Sequence, residues 1–160
     1  MITLTTTRFN TKTWNERERW IENNKWPGSI YGTPIRATHW IQGTMMVLEM
    51  HNDENKVKAI GLVKAQAMET DKGHKIYGDR NYNRYIYKSN YRLVLDQIDL
   101  LPMEKKIIAI FNRLLFKGAC HLKRGQGIMA VPKWIMQNKQ VDFLKHFKAL
   151  FARYFKEAQV

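Results

Sequence analysis

Five consecutive residues, Lys123-Arg124-Gly125-Gln126-Gly127, combine two cations with two glycines. A turn of that composition presents backbone amides beside fixed positive charge, the arrangement that seats a phosphate group; the competing reading is a tight turn with solvated charges. It is neither a Walker A loop nor a dinucleotide fingerprint, both of which need a longer strand-to-helix context. A second set lies upstream, where Tyr82, Tyr85, Tyr87 and Tyr91 are interleaved with Arg80, Arg84, Lys88 and Arg92. Rings and cations in alternation suit stacking and phosphate contact on a single strand, at about 1–3 kcal/mol per stacked base. A third set is Trp26, Ser29 and Tyr31, within a stretch 26–35 that holds two prolines and two glycines, together with Trp40. A rigid loop can fix aromatic faces on either side of a flipped base, and His51, next to a polar turn, can donate to such a ligand. Every ring named here has core packing as its alternative.

The remaining candidates for chemistry are sparse. His39, His51, His74, His121 and His146 show no spacing that makes a zinc site. Cys120 and His121 are adjacent, which in an extended chain directs their side chains apart, and no activating partner for the thiol is evident. No pair of carboxylates stands in an acid/base arrangement. Neither catalytic residues nor a metal nor a cofactor is expected.

The elements that must position these groups centre on residues 43–66. Residues 44–51 form an apolar run interrupted by Glu49, a polar tetrad 52–55 turns the chain, and 57–63 runs back. Met46, Leu48 and Met50 alternate with Met45 and Val47, so both faces are apolar and the hairpin belongs inside a sheet or barrel. Gly61 marks a bulge, a corner or a close approach. Residues 1–13 read as an extended lead-in, with Leu4, Phe9 and Trp14 turned inward. Asn15 is the expected cap of a helix over 16–23, with Trp20 and Ile21 facing the core. A short helical turn is expected over 36–41. The stretch 68–78 reads as a polar crossing with a turn at Asp71-Lys72-Gly73, and strands follow near 85–87 and 92–95. Pro102 opens a helix to about Phe116, striped by Ile107, Ile108, Phe111, Leu114 and Leu115 and ended by Gly118. A strand-turn-strand over 118–132 and an amphipathic helix over 141–157 complete the chain.

The formal charge is +13 over 160 residues, and residues 100–160, with 12 basic and 3 acidic side chains, supply +9 of it. Such asymmetry points to a polyanionic partner, nucleic acid before an anionic membrane. The candidate phosphate contacts are Arg84, Lys88, Arg92, Lys105, Lys117, Lys123, Arg124 and Lys133. One cysteine excludes an intrachain disulfide and suits a reducing compartment. No apolar run is long enough to span a bilayer, and the threonine-rich start does not read as a signal peptide. An intracellular setting, cytoplasmic, nuclear or virion-associated, is expected.

The run GTMMVLEMHN…VKAIGLVKA is an apolar strand ending in His and a polar turn, then a glycine-bearing return strand. Preceded by the Trp/Pro/Gly loop, and followed in order by NRYIYKSNYRLVL, a helix and LKRGQGIMAVP, it resembles EVE domains across roughly residues 26–135. The resemblance implies the PUA-like fold that EVE, ASCH and YTH domains share, a small mixed β-barrel with flanking helices. It also implies a barrel mouth that cages a modified base, partly with Trp. The glycine turn is in part similar to the acyl-CoA phosphate loop of acetyltransferases, although Leu122 takes the first place of that pattern and Pro132 falls where a helix should run.

The expectation is therefore one α+β domain over residues 1–160, a small mixed PUA-like barrel with flanking helices and a long amphipathic C-terminal helix. Its function is that of a non-catalytic nucleic-acid-binding module, for RNA or DNA, reading a modified or flipped base through Trp26, Ser29, Tyr31, Trp40 and His51. The alternatives are a CoA-dependent acyltransferase and a basic viral structural or packaging protein. No membrane partner is expected, because a basic amphipathic helix more often packs on its own domain than lies on a bilayer.

Overall fold

A computed structural model describes residues 1–69 and 74–156 of the chain. The threonine-rich start is a full strand, β1 (Ile2–Phe9), rather than a lead-in. Five of its eight residues are β-branched and favour extended backbone. Asn10, not Asn15, then caps α1 (Thr11–Asn23). Its side chain accepts from the Thr13 amide at 2.8 Å while the Thr13 hydroxyl accepts from the Asn10 amide at 3.0 Å, a reciprocal capping box. Trp14 and Arg17 are the buried residues of this helix, and Trp20 and Ile21 are only half-buried.

The proline- and glycine-rich stretch holds a strand, β2 (Ser29–Thr33). The expected helical turn after it is absent; residues 36–43 carry only a turn closed by the Ile41 amide on Thr38. The hairpin forms as read, with β3 (Thr44–His51) and β4 (Lys56–Lys64) joined by the tetrad. β5 (Met68–Glu69) follows; the turn expected at Asp71-Lys72-Gly73 lies outside the described residues. A 3-10 turn (Arg80–Asn83), β6 (Tyr85–Ser89) and β7 (Arg92–Val94) lead to α2 (Pro102–Phe116). Of the expected strand-turn-strand only β8 (Met129–Ala130) is a strand.

A short helix, α3 (Lys133–Met136), precedes the last one, α4 (Phe143–Tyr154), which forms within the expected span 141–157. Asn138 makes the break between them: its amide nitrogen donates to the Ile135 and Val141 carbonyls, and its oxygen accepts from the Gln140 and Val141 amides. Asp142 then caps α4 by accepting from the Lys145 amide. The expected end at Glu157 lies outside the described residues.

The strands make two sheets, ordered β7-β4-β3-β1-β8 and β2-β6-β5, and do not close into one barrel. β1 runs parallel to β3, Ile2 opposite Thr44 through Phe9 opposite His51, and the other pairings are antiparallel. β3 lies inside the larger sheet with both faces covered. Met46, Leu48 and Met50 pack with Leu4, Ile60 and the buried stripes of α2 and α4. Met45, Val47, Ala59 and Val63 pack with Ile30, Tyr31, Ile86 and Tyr87 of the smaller sheet. The architecture is mixed α+β, with α2, α3 and α4 on one face of the main sheet and α1 with the second sheet on the other. Among the described residues no helix is long and apolar enough to cross a membrane.

Candidate functional site

Parallel pairing brings the C-terminal ends of β1 and β3 side by side, and three chain segments are tied together there. The Asn52 amide donates to the Phe9 carbonyl at 2.7 Å. Asp53 accepts from both the amide and the hydroxyl of Thr11 at 2.8 Å, pinning the hairpin turn to the first turn of α1. Those bonds hold the Asp53 carboxyl below its ordinary range. The Lys123 carbonyl accepts from the Asn52 side chain at 2.8 Å and from the Arg8 guanidinium at 3.4 Å. The basic glycine turn is thereby fastened across the strand ends.

The result is a cleft of about 220 Å³. β1 and the start of α1 supply Thr7, Arg8, Phe9, Asn10 and Thr13 to its wall. The end of β2 supplies Gly32, Thr33 and Pro34, and Asn52, Tyr82, Gln126 and Gly127 complete it. A small annex of about 30 Å³ reaches inward to Tyr31 and Tyr77. Gly127 sits at φ +69°, a left-handed conformation that other residues adopt at a cost. Gly125 is bonded to the Leu122 carbonyl and Lys123 to the His121 ring, whereas the amides of Arg124, Gln126 and Gly127 make no hydrogen bond among the described residues. The Asn52 side-chain oxygen is buried and likewise has no partner there.

Behind the cleft lies a closed set of four charges, three of them buried and Glu18 37% exposed at its side chain. Glu49 accepts from Arg92 through both oxygens at 3.0 Å, from Arg17, and from the Tyr31 hydroxyl at 2.6 Å. Glu18 accepts from Arg17 at 3.1 Å and from Arg92 at 2.7 Å, so two guanidiniums alternate with two carboxylates. Burial alone would raise the Glu49 carboxyl, but Arg17 and Arg92 overcome it and bring it from 4.5 to about 2. Burial and the Glu49 charge push the Tyr31 phenol well up, so it remains a donor. The Arg17 guanidinium also lies 4.4 Å from the centre of the Phe9 ring, under the cleft wall. Gly61 leaves the space: a Cβ there would stand 2.0 Å from the Tyr31 hydroxyl and 2.4 Å from the Ser29 hydroxyl. Of the three roles open to Gly61, close approach is the one the structure realises.

The five residues expected to cage a base do not assemble into one pocket. Tyr31 is fully buried and bonded to Glu49, and Ser29 is buried and donates to the Tyr91 carbonyl. Trp26 is half-buried, donating to the Ser29 carbonyl with the Lys88 ammonium 4.9 Å from its ring. Trp40 is 57% exposed. His51 packs against Trp14, its Nδ1 accepting from the Glu54 amide, and burial lowers its pKa. Only Tyr31 reaches the cleft, through the annex.

The expected phosphate contacts divide. Arg92, 6% exposed at its side chain, is consumed by Glu49 and Glu18 and is a structural charge. Lys88 is half-buried between Trp26 and His74. Arg84 is exposed beside the Tyr85 ring. Lys105, Lys117, Arg124 and Lys133 are exposed without an ion pair among the described residues, and half-buried Lys123 contributes its carbonyl. Sequence reasoning named Tyr82 as a stacking ring but missed Thr7, Arg8, Thr33 and Asn52. Their only shared signal was position at strand ends and turns, which becomes a site once β1 pairs with β3.

These features define a mixed α+β protein with a polar cleft framed by a cationic glycine turn. Compared with protein-family models, with curated proteins and with solved structures, the chain finds no match.

Proposed function

We propose that the protein is a non-catalytic nucleic-acid-binding module of PUA-like type. One base enters the cleft at the ends of β1 and β3, and its phosphates rest on the Lys123–Gly127 turn. The carrying observation is that Gln126 and Gly127 of this turn line the cleft, with three of the turn's amides unbonded among the described residues and Arg124 exposed beside them. The cleft's volume falls below the ~300–1,000 Å³ of drug-sized pockets, which suits a single planar heterocycle. Tyr82 offers a ring, and Thr7, Thr33, Asn52 and Gln126 offer polar atoms for its edges. Two packed sheets with flanking helices support the PUA-like reading, although the strands do not close into a ribbon.

The acyltransferase alternative needs a helix opening from the glycine turn. Here the turn runs into β8, and the next helix is α3, four residues long. A packaging role by charge alone has no use for the cleft.

The test compares single-stranded RNA and DNA oligonucleotides, with and without methylated bases, against the same strands carrying abasic positions. Base-bearing strands are expected to bind roughly tenfold or more tightly than abasic ones, as stacking energies imply, and all binding weakens with salt. Gln126→Trp, at an exposed position, crowds the cleft and should erase the base preference. Equal affinity of the unmodified protein for abasic and base-bearing strands would reject the base cleft. Affinity that is flat in salt would reject the phosphate seat.

A further inference from the structure

The outward sides of α2 and α4 carry six cations, Lys105, Lys106, Arg113, Lys117, Lys145 and Lys148, Lys117 standing at the C-cap of α2. None forms an ion pair among the described residues. The acids on these helices cannot answer them. Glu104 is buried and accepts from Arg153 and from the Leu101 amide, and Asp142 is spent on capping α4. Lys106 and Arg113 are seven apart and Lys117 four further, so they form one stripe along α2 of about 16 Å. On α4 Lys145 is exposed and Lys148 half-buried, and the helix packs on α2 through Phe111 against Phe143 at 4.5 Å and Phe147 at 5.1 Å. This basic layer covers the face of the main sheet opposite the smaller sheet.

We propose that the outer face of the α2–α4 layer is a second binding surface, separate from the cleft, that takes the phosphate backbone of a nucleic-acid duplex. It shares with the cleft reading only the class of partner and does not depend on a base being seated there. Charge complementarity carries the choice of occupant, since a duplex bears one negative charge per ~1.7 Å of axis. A single strand is held by stacking platforms as well as charge. On this layer Phe111, Phe143, Phe147 and Phe151 are buried, and the exposed ring, Tyr154, lies at the very end of α4 with its hydroxyl donating to the Asp99 carbonyl. A bilayer surface requires a broad apolar face to insert; of its large apolar side chains α2 exposes only Met103, in its first turn, and Ile110, between Lys106 and Arg113, while Ala109, Ala149 and Ala152 fill other outward positions. The cationic face matches a rod of phosphates.

The experiment measures binding of a blunt DNA duplex two helical turns long, at several salt concentrations, by the unmodified protein and by Lys106→Gln/Arg113→Gln/Lys117→Gln. Glutamine matches lysine and arginine in helix propensity, and equal urea midpoints check the fold. The triple variant should bind the duplex at least tenfold more weakly, with a salt slope smaller by roughly 2–3. Its preference for base-bearing over abasic single strands should be unchanged. Lys145→Gln/Lys148→Gln gives an independent, smaller loss in the same direction. Gln126→Trp should leave duplex binding intact, so a failed cleft and a failed helical face give different patterns. Duplex binding equal to the unmodified protein in both charge variants would overturn the proposal. So would loss of binding to phosphatidylserine vesicles on the triple substitution in a protein that binds no duplex.

Discussion

Arg92 and Arg124 carry the same guanidinium and sit in opposite worlds. Around Arg92 every charge is answered: Arg17, Arg92, Glu18 and Glu49 close on one another between α1 and the two sheets, with Tyr31 taking the remaining carboxylate lone pair. Around Arg124 almost none is, because residues 100–160 hold 12 basic and 3 acidic side chains, and Glu104 and Asp142 among those acids are engaged internally. The difference follows from water. A buried ion loses several kcal/mol of hydration, so only a neutral, fully bonded set survives in the core. At the surface solvent screens each charge, and an excess can be kept for a partner. A cation therefore says little about function until its neighbours are known. Unpaired exposure separates an anion-binding cation from a structural one.

The comparison breaks most severely at Glu49. Glu49→Gln leaves Arg17 and Arg92 facing one carboxylate in place of two, and removing one partner of a buried ion pair costs about 3–5 kcal/mol. Urea denaturation should show that loss. If Glu49→Gln unfolded at the same urea concentration as the parent protein, the set would have to be hydrated and the contrast with the surface would vanish.

Acid probes the same group without a substitution. Because the folded-state pKa of Glu49 is depressed from 4.5 to about 2, its contribution is complete above pH 4.5 and disappears as pH falls toward 2. The linked stability is roughly 3 kcal/mol. Stability measured across that window should fall steeply in the parent protein and less steeply in Glu49→Gln. Parallel pH profiles for the two proteins would show that other carboxylates govern acid unfolding.

The hairpin was legible because Met45 to Met50 are apolar on both faces, a pattern only an internal strand satisfies. The helix at Pro102 was legible from its stripe and its proline start. The position of α1 was not, since Asn15, with Glu18 three residues on, makes the better capping box by type, whereas the helix starts after Asn10, where Asp53 of the distant hairpin turn binds Thr11. β1 escaped because its partner begins over forty residues away, with Ile2 opposite Thr44. No local pattern announces a parallel neighbour at that distance. The candidate site was half legible. The glycine turn was found by its own residues, while Arg8 and Asn52, which fasten it, matter only through the fold. Tyr31 misled for the complementary reason: its ring, in a loop suited to a cage, fills space left by Gly61 on another strand.

The smallest expected effect on stability is the most informative about the surface. Arg124 is exposed and unpaired among the described residues, so Arg124→Ala should change the stability read from urea denaturation by no more than about 0.5 kcal/mol. The same substitution removes a side chain from the turn that frames the cleft. Oligonucleotide binding should weaken uniformly across sequences, and the salt slope should shrink by about one, as for a single phosphate contact. The two readouts must part company: a guanidinium held for a partner is silent in folding and audible in binding, whereas Arg17 or Arg92 would be the reverse. Arg124→Ala that destabilised the fold, or that left both binding and its salt slope untouched, would move this arginine into the structural class and take the phosphate seat with it.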